Sequence, residues 1–68
     1  MLKTKISGLS IIIIDGKTGK HVNKIDTSRF GGAKSAIIII TGKTVKAVCK
    51  DGRTRYFDIK TGKLKRTI

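Results

Sequence analysis

Lysine has the clearest chemical potential in this sequence, because it recurs at strand-like spacing after glycine turns. Lys20 and Lys24 follow one such turn, and Lys46 and Lys50 follow another. Alternate residues of a strand share a face, and two lysines four residues apart on that face are roughly 13 Å from each other. That separation permits contact with separate phosphates. The spacing therefore indicates binding of a polyanion.

Arginine and aromatic residues extend the same chemistry. Arg53 and Arg55 precede Tyr56 and Phe57. Arginine binds phosphate in a bidentate manner, and an exposed aromatic ring can stack on a base. Tyr56 is the best stacking candidate because strand alternation sets it opposite Phe57, and the alternative is that the aromatic residues fill the core. The predicted nucleic-acid-binding residues are Lys17, Lys20, Lys24, Arg29, Lys43, Lys46, Lys50, Arg53, Arg55 and Tyr56.

Two Gly-Lys-Thr triplets, at residues 16–18 and 42–44, follow apolar runs as the end of a phosphate-binding P-loop does. A P-loop also requires a glycine five positions before its Gly-Lys pair, where Ile11 and Ile37 stand here. It requires a helix afterwards, whereas this sequence continues with a strand pattern. Nucleotide hydrolysis is therefore not expected.

His21 and Cys49 are the side chains best suited to nucleophilic or metal chemistry. Neither has a carboxylate partner that spacing identifies, and one of each is too few for a catalytic or metal-binding cluster. Cys49 is expected in the core as a small hydrophobic residue, and His21 is expected to be packed or half-exposed. We expect no enzyme activity, no bound metal and no cofactor.

Composition supports the polyanion hypothesis. Sixteen Lys and Arg against four Asp give a net charge of +12. Such a charge density repels itself, and a polyanion relieves the repulsion. DNA or RNA is the expected partner; the alternatives are an acidic surface on a nucleic-acid-handling enzyme, a well-solvated basic surface, or a structural subunit that assembles through its isoleucine faces. Charge by itself does not separate these alternatives.

Length and residue usage place the chain among small cytoplasmic proteins. Its 68 residues suffice for one domain, residues 1–68, and its single cysteine fits a reducing compartment. Residues 6–14 are too short and too interrupted for a signal peptide. No apolar run approaches the roughly 20 residues that span a bilayer, so we expect a soluble protein that does not enter membranes.

The sequence repeats itself at an interval of 26 residues. Residues 11–30 align with residues 37–56, and 11 of the 20 pairs are identical, including all four isoleucines of each run. A fixed period indicates a supersecondary unit used more than once. We interpret the repeat as one hairpin written twice.

The elements around these residues are predicted to be strands. Residues 1–7 alternate apolar and polar, and residues 9–14 form a β-branched run before Asp15-Gly16, a dipeptide typical of two-residue hairpin turns. Further strands are predicted at residues 17–25, 35–40, 43–50, 53–60 and 63–68, with the longest loop at residues 26–34. The expected fold is all-β, a small barrel or sandwich of about six to seven short antiparallel strands built from two repeated hairpins.

The isoleucine runs at residues 11–14 and 37–40 place apolar side chains on both faces of their strands. Each run is therefore either a central strand covered by protein on both sides or part of an interface with another subunit. Because the chain offers little other apolar material, we expect a homodimer through these strands.

The segment Ile11 to Asp26, read Ile-Ile-Ile-Ile-Asp-Gly-Lys-Thr-Gly-Lys-His-Val-Asn-Lys-Ile-Asp, resembles the KOW element of ribosomal and transcription-elongation proteins. The resemblance implies a small SH3-like barrel that contacts RNA, DNA or protein. It also implies that Gly16 lies at the turn, that Lys17 and Lys20 lie near the nucleic acid, and that Val22 lies in the returning strand.

Overall fold

The computed structural model describes residues 1–39 and 42–68 and shows a small all-β sandwich, as expected. A three-stranded sheet has the order β1-β2-β3, and a four-stranded sheet has the order β4-β5-β6-β7, with every neighbouring pair antiparallel. The sheets do not close into a barrel among the described residues. The strands are β1 (Leu2–Ser7), β2 (Ser10–Asp15), β3 (His21–Asp26), β4 (Ala33–Ile39), β5 (Thr44–Cys49), β6 (Thr54–Asp58) and β7 (Leu64–Thr67).

Ile40 and Thr41 lie outside the described residues. Ile40 is the last residue of the second isoleucine run, and Thr41 is the first residue of the predicted Thr41-Gly42 turn.

The core forms where alternate strand residues meet between the two sheets. In β5 the fully buried residues Val45, Ala47 and Cys49 alternate with half-buried ones, as period-two geometry requires. Fully burying a side chain of the size of valine, isoleucine or phenylalanine stabilises the fold by about 1.5–3 kcal/mol. The core cluster consists of Ile11, Ile13, Ile25, Ala33, Val45, Ala47, Cys49, Phe57 and Ile59.

The loop between β3 and β4 lies within the predicted long loop and contains a short 3₁₀ helix, Ser28–Phe30. Thr27 is fully buried, and its hydroxyl donates a hydrogen bond to the Leu9 carbonyl at 2.7 Å. Its own carbonyl accepts the Gly32 N–H at 2.9 Å. These bonds fix the loop against the turn that joins β1 to β2.

The turn between β2 and β3 runs from Asp15, the last residue of β2, to Lys20, so the predicted two-residue turn is wrong. The Asp15 carboxylate accepts the N–H of Lys17 at 2.8 Å and that of Thr18 at 3.4 Å. Gly19, at φ +75°, donates its N–H to the Asp15 carbonyl at 2.8 Å. Aspartate stabilises such turns by accepting a backbone N–H two residues later. β3 therefore begins later than predicted.

The connection between β6 and β7 is the same turn at residues 58–63. Both turns read Asp-x-Lys-Thr-Gly-Lys. The Asp58 carboxylate accepts the N–H of Lys60 at 2.8 Å and that of Thr61 at 3.2 Å, and Gly62 donates to the Asp58 carbonyl at 2.7 Å. The two turns lie 43 positions apart.

The strands that flank these turns are equivalent as well. The register shifts between Ile13 and Ile14 in the β2–β3 pair, and between Tyr56 and Phe57, the positions 43 residues later, in the β6–β7 pair. We define β1–β3 as the N-terminal unit and β5–β7 as the C-terminal unit. The two units are copies of one three-stranded meander, and β4 is an additional strand at the β5 edge.

Each turn is tied to the residue that precedes the first strand of its unit. The Gly16 N–H donates to the Met1 carbonyl at 2.6 Å, and the Ile59 N–H donates to the Lys43 carbonyl at 3.1 Å. These bonds are equivalent, because Gly16 and Ile59 occupy the second position of the two turns. The equivalence therefore extends over all three strands of each unit.

The two units pack with unlike faces together. The N-terminal unit contributes Ile11 and Ile13 to the core, and the equivalent positions Thr54 and Tyr56 lie on the outer side of the C-terminal unit. The C-terminal unit contributes its opposite face, which carries Phe57. The packing is thus heterologous. The face of the C-terminal unit that carries Thr54 and Tyr56 points outward, although the equivalent face of the N-terminal unit lies in the interior.

The two isoleucine runs have different surroundings, although each lies in the first strand of an antiparallel hairpin, β2–β3 for the first run and β4–β5 for the second. Ile11 and Ile13 belong to a central strand and are 0% exposed, whereas Ile37 belongs to the edge strand β4 and is 53% exposed. The first run is covered within the chain. The second run exposes apolar surface at Ile37.

Candidate nucleic-acid interface

One row of residues on the outer face of the four-stranded sheet combines two cations with an aromatic ring. Strand pairing aligns Lys46 of β5 with Tyr56 of β6 and with Arg66 of β7. Directly paired residues share a face, and adjacent strands lie about 4.8 Å apart, so the two cations flank the ring. We call Lys46, Tyr56 and Arg66 the Tyr56 row. Ile37 of β4 continues it on the side of Lys46.

Strand alternation turns the Tyr56 row outward. Within β6, Arg55 and Phe57 face the core with exposures of 7% and 2%, so half-buried Tyr56 between them faces the other way. Within β5, Lys46 lies between the fully buried residues Val45 and Ala47. The prediction that Lys46 and Tyr56 lie outside the core is confirmed for both residues.

The equivalent row of the N-terminal unit consists of Thr4, Ile13 and Asn23, and it lies toward the interior. Ile13 is 0% exposed, the Thr4 hydroxyl donates to the Ala36 carbonyl at 2.7 Å, and the Asn23 amide donates to the Ile59 carbonyl at 2.7 Å. The meander therefore forms with neutral residues at these positions. In the C-terminal unit, where the row faces solvent, the same three positions carry lysine, tyrosine and arginine. The requirements of the fold alone therefore do not explain why these positions carry two cations and an aromatic ring.

Arg55, predicted from the sequence as a nucleic-acid-binding residue, faces the core and does not lie on the outward face that carries Tyr56. Its guanidinium lies 2.8 Å from an Asp51 carboxylate oxygen, and its Cζ lies 3.7 Å from the centroid of the Phe30 ring. The hydrogen bond that Arg55 donates lowers the pKa of Asp51 to about 2, helped by the Arg53 N–H, and the same bond raises the pKa of Arg55. Adjacent strand residues point to opposite faces, so Arg55 and Tyr56 do not act on one ligand together.

Each of the four carboxylates accepts a backbone hydrogen bond within a turn or loop. Asp15, Asp26, Asp51 and Asp58 each accept the N–H of the residue two positions later, at 2.8, 2.9, 3.0 and 2.8 Å. The bond from Ser28 lowers the pKa of Asp26. Within residues 1–39 and 42–68, which include every charged residue, the Arg55–Asp51 bridge is the only ion pair. Fifteen of the sixteen Lys and Arg therefore have no carboxylate partner.

The other predicted residues are distributed over several surfaces. Lys24 lies on the outer face of the three-stranded sheet, where it pairs with Ile12. The remainder lie in connections, where Lys17 and Lys20 belong to the β2–β3 turn, Lys43 precedes β5, Lys50 and Arg53 flank the β5–β6 turn, and Arg29 lies in the 3₁₀ helix. Of the ten predicted residues, Lys46 and Tyr56 are the two that meet in one row.

The outer face of the three-stranded sheet is basic but has no aromatic ring in its central row. Lys5 and Lys24 flank Ile12, which is only 8% exposed, and Lys3 lies on the same face as Lys5. The aliphatic stems of lysines cover apolar surface while their ammonium groups stay in water. This face attracts anions and lacks a platform for bases.

Sequence reasoning missed Arg66. A sequence signal for it exists, because the second Asp-x-Lys-Thr-Gly-Lys turn sets the β6–β7 register and thereby aligns Arg66 with Tyr56. The repeat at 43 residues is harder to detect than the isoleucine repeat at 26 residues, because it is the weaker of the two. Lys3 and Lys5 also face outward, and the alternation of residues 1–7 indicates this position.

His21 and Cys49 do not come together. His21 is exposed on β3, and Cys49 is fully buried in the core. Among the described residues, no three metal-ligating side chains form a group that would hold an ion. The part of the chain that the structure describes also contains no helix long and apolar enough to cross a membrane.

Comparison of the chain with protein families, with curated proteins and with solved structures returned no match. The resemblance of residues 11–26 to a KOW element therefore stays a prediction.

Proposed function

We propose that this protein binds nucleic acid through its phosphates, largely independently of base sequence, with the Tyr56 row at the centre of the contact surface. The supporting observation is that fifteen of sixteen cations have no carboxylate partner, while all four carboxylates are tied into turns. A net charge of +12 is therefore left for an external anion. A phosphate backbone supplies many anions at short intervals, and neutralising them releases counterions.

Phosphate contact predicts a specific dependence on salt. For a site that neutralises Z phosphates, the slope of log K against log salt is about −0.9Z for duplex DNA and about −0.7Z for single strands. Contacts to phosphates carry no direct sequence information. The affinity is therefore expected to fall steeply with salt and to change little between sequences of equal length and strandedness.

The test is a titration of labelled single- and double-stranded DNA and RNA at about 50 and 200 mM salt. A steep slope with measurable affinity at the higher salt supports the proposal. Affinity confined to the lowest salt, with no preference among strands, overturns it in favour of a basic surface that docks on an acidic protein. Sedimentation velocity at the same concentrations tests the expected homodimer.

A pair of double variants with equal charge loss tests the location of the surface. Lys46→Ala with Arg66→Ala removes two cations from the Tyr56 row, and Lys3→Ala with Lys5→Ala removes two from the opposite outer face. If both cations of the row contact phosphates of a single strand, the first variant lowers the salt slope by about 1.4, and the control changes it less. Equal effects of the two variants would contradict the Tyr56 row as the centre of binding.

A further inference from the structure

The Tyr56 ring points to a narrower class of ligand than phosphate chemistry alone. We propose that the protein prefers single-stranded nucleic acid and that one base stacks on Tyr56 while neighbouring phosphates contact Lys46 and Arg66. This inference rests on the proposed function, because it assigns the ligand class of the same surface. The observation that carries it is the register Lys46–Tyr56–Arg66 on an outward sheet face.

The dimensions of the sheet suit such a ligand. Adjacent strands are about 4.8 Å apart, so the backbones of Lys46 and Arg66 lie about 10 Å apart with Tyr56 midway. Both cations have long, flexible side chains that stand beside the ring. A nucleotide whose base lies over Tyr56 therefore places backbone phosphates within reach of a cation on either side.

Chemistry at the ring distinguishes single strands from duplexes. Bases inside a duplex are stacked on one another and paired, whereas an unpaired base presents its π-face to an aromatic side chain. Every base has such a face, so the contact tolerates any sequence. A duplex remains able to use the two cations but not the ring.

The internal repeat shows that a meander of this kind forms with an aliphatic residue at the position of the ring. Ile13 occupies the position equivalent to Tyr56, and isoleucine is a strong strand former. Tyr56→Ile is therefore a variant that the meander already accommodates in its other copy. Tyr56→Phe retains an aromatic ring and serves as the conservative partner of this variant.

Intrinsic fluorescence provides a direct probe of the ring. The chain has one tyrosine and no tryptophan, so its tyrosine emission reports on Tyr56 alone. The probes are a single-stranded oligonucleotide and the duplex of the same length, titrated at one salt concentration. Stacking predicts quenching at saturation by the single strand and little change on saturation by the duplex.

Affinities of the variants complete the test. Removing a base–aromatic stack lowers affinity roughly 5- to 150-fold. Tyr56→Ile is expected to lose this factor for the single strand while its duplex affinity stays unchanged, and Tyr56→Phe is expected to bind both like the original protein. Circular dichroism and urea unfolding of Tyr56→Ile confirm that the variant is folded.

The outcomes separate the two proposals. Salt-dependent binding of both probes without quenching, or with equal affinities in Tyr56→Ile and the original protein, overturns the stacking inference and leaves phosphate binding in place. Equal losses for single strand and duplex in Tyr56→Ile also overturn it, because a general disturbance of the sheet would produce that result. Failure of both probes to bind overturns both proposals.

Discussion

The N-terminal and C-terminal units share strand order, turn sequence and register, but their equivalent faces meet different environments. The row Thr4, Ile13 and Asn23 faces the interior in the first unit, and the Tyr56 row faces solvent in the second. The opposite face of each unit shows the reverse arrangement: it is outward in the first unit and interior in the second. Phe57 of the C-terminal unit is 2% exposed in the core, whereas its equivalent Ile14 is half-buried on the outer face.

This comparison shows that the burial of a residue depends on how the two units pack as well as on strand alternation. Alternation separates the two faces of each strand, but it does not decide which face is covered. Heterologous packing covers one face of the first unit and the other face of the second. Lysine and arginine occupy the outer faces of both units. Terminal repeats of repeat proteins have polar outer faces in the same way.

The largest expected effect comes from truncating the equivalent positions Ile14 and Phe57. Phe57→Ala leaves a cavity in the core and is expected to cost about 3–5 kcal/mol, enough to unfold most molecules of a domain this small. Ile14→Ala on the outer face is expected to cost about 1 kcal/mol. Urea unfolding followed by circular dichroism measures both. Equal costs would contradict the assignment of opposite faces.

Acid stability tests a second pair of equivalent positions, Ile12 and Arg55. The pKa of Asp51 is about 2 when paired with Arg55, below its ordinary value of 3.8. The stabilisation is therefore complete above about pH 4 and is lost as the pH falls towards 2. Arg55→Ile, which introduces the residue of the other unit, should weaken this pH dependence.

The measurement for this pair is the urea midpoint of both proteins between pH 2 and 5. Asp26, whose pKa is also lowered, retains its own contribution in Arg55→Ile, so some dependence remains. Asp51→Asn is the control, because it removes the same titration from the other side of the bridge. An unchanged pH profile in Arg55→Ile would show that the bridge does not stabilise the fold.

A smaller effect is expected from the glycines of the two turns. Gly19 and Gly62 have φ values of +75° and +73°, a conformation that costs other residues roughly 1–2 kcal/mol. An added methyl group meets no atom within 4 Å at Gly19 and only ordinary contacts, at 3.7 and 3.8 Å, at Gly62. Gly19→Ala and Gly62→Ala should therefore lower the free energy of unfolding by similar amounts. Costs that differ by more than about 1 kcal/mol would argue against equivalent turns.

The smallest effect is expected at the threonines of the same turns. The hydroxyl oxygens of Thr18 and Thr61 accept the N–H of Lys20 and of Lys63, both at 3.3 Å and in contact with solvent. Such long, exposed bonds contribute less than about 0.5 kcal/mol. Thr18→Ala and Thr61→Ala should leave the urea midpoint almost unchanged. A large loss at one of them would show that this turn is under strain that the other does not share.

Much of the local structure could be predicted from residue types. Strand alternation and β-branched runs identified all seven strands approximately, and the central place of Val45, Ala47 and Cys49 in the core followed from their alternation with Lys46 and Val48. The turn at Asp15 was predicted too short. The structure shows that an aspartate carboxylate can hold a longer loop through its backbone N–H contacts.

The candidate site was predictable only in part. Lys46 and Tyr56 followed from alternation, but Arg66 required the pairing of β7 with β6, and Arg55, predicted to bind nucleic acid, faces the core. Its burial depends on Asp51 and Phe30 lying close in space, and linear spacing does not reveal such a cluster. An arginine in a strand is ordinarily assigned to solvent, since burying it requires a charged or aromatic partner.

By itself the sequence determined the all-β class, the approximate strands, the turn chemistry and the excess of positive charge, because these depend on neighbours along the chain. The tertiary structure decided which face of each unit became core and which cations surround Tyr56. Those outcomes depend on how two similar meanders pack and on the register of strands that are distant in sequence. The same strand positions therefore form a hydrophobic interior in one copy and a basic surface in the other.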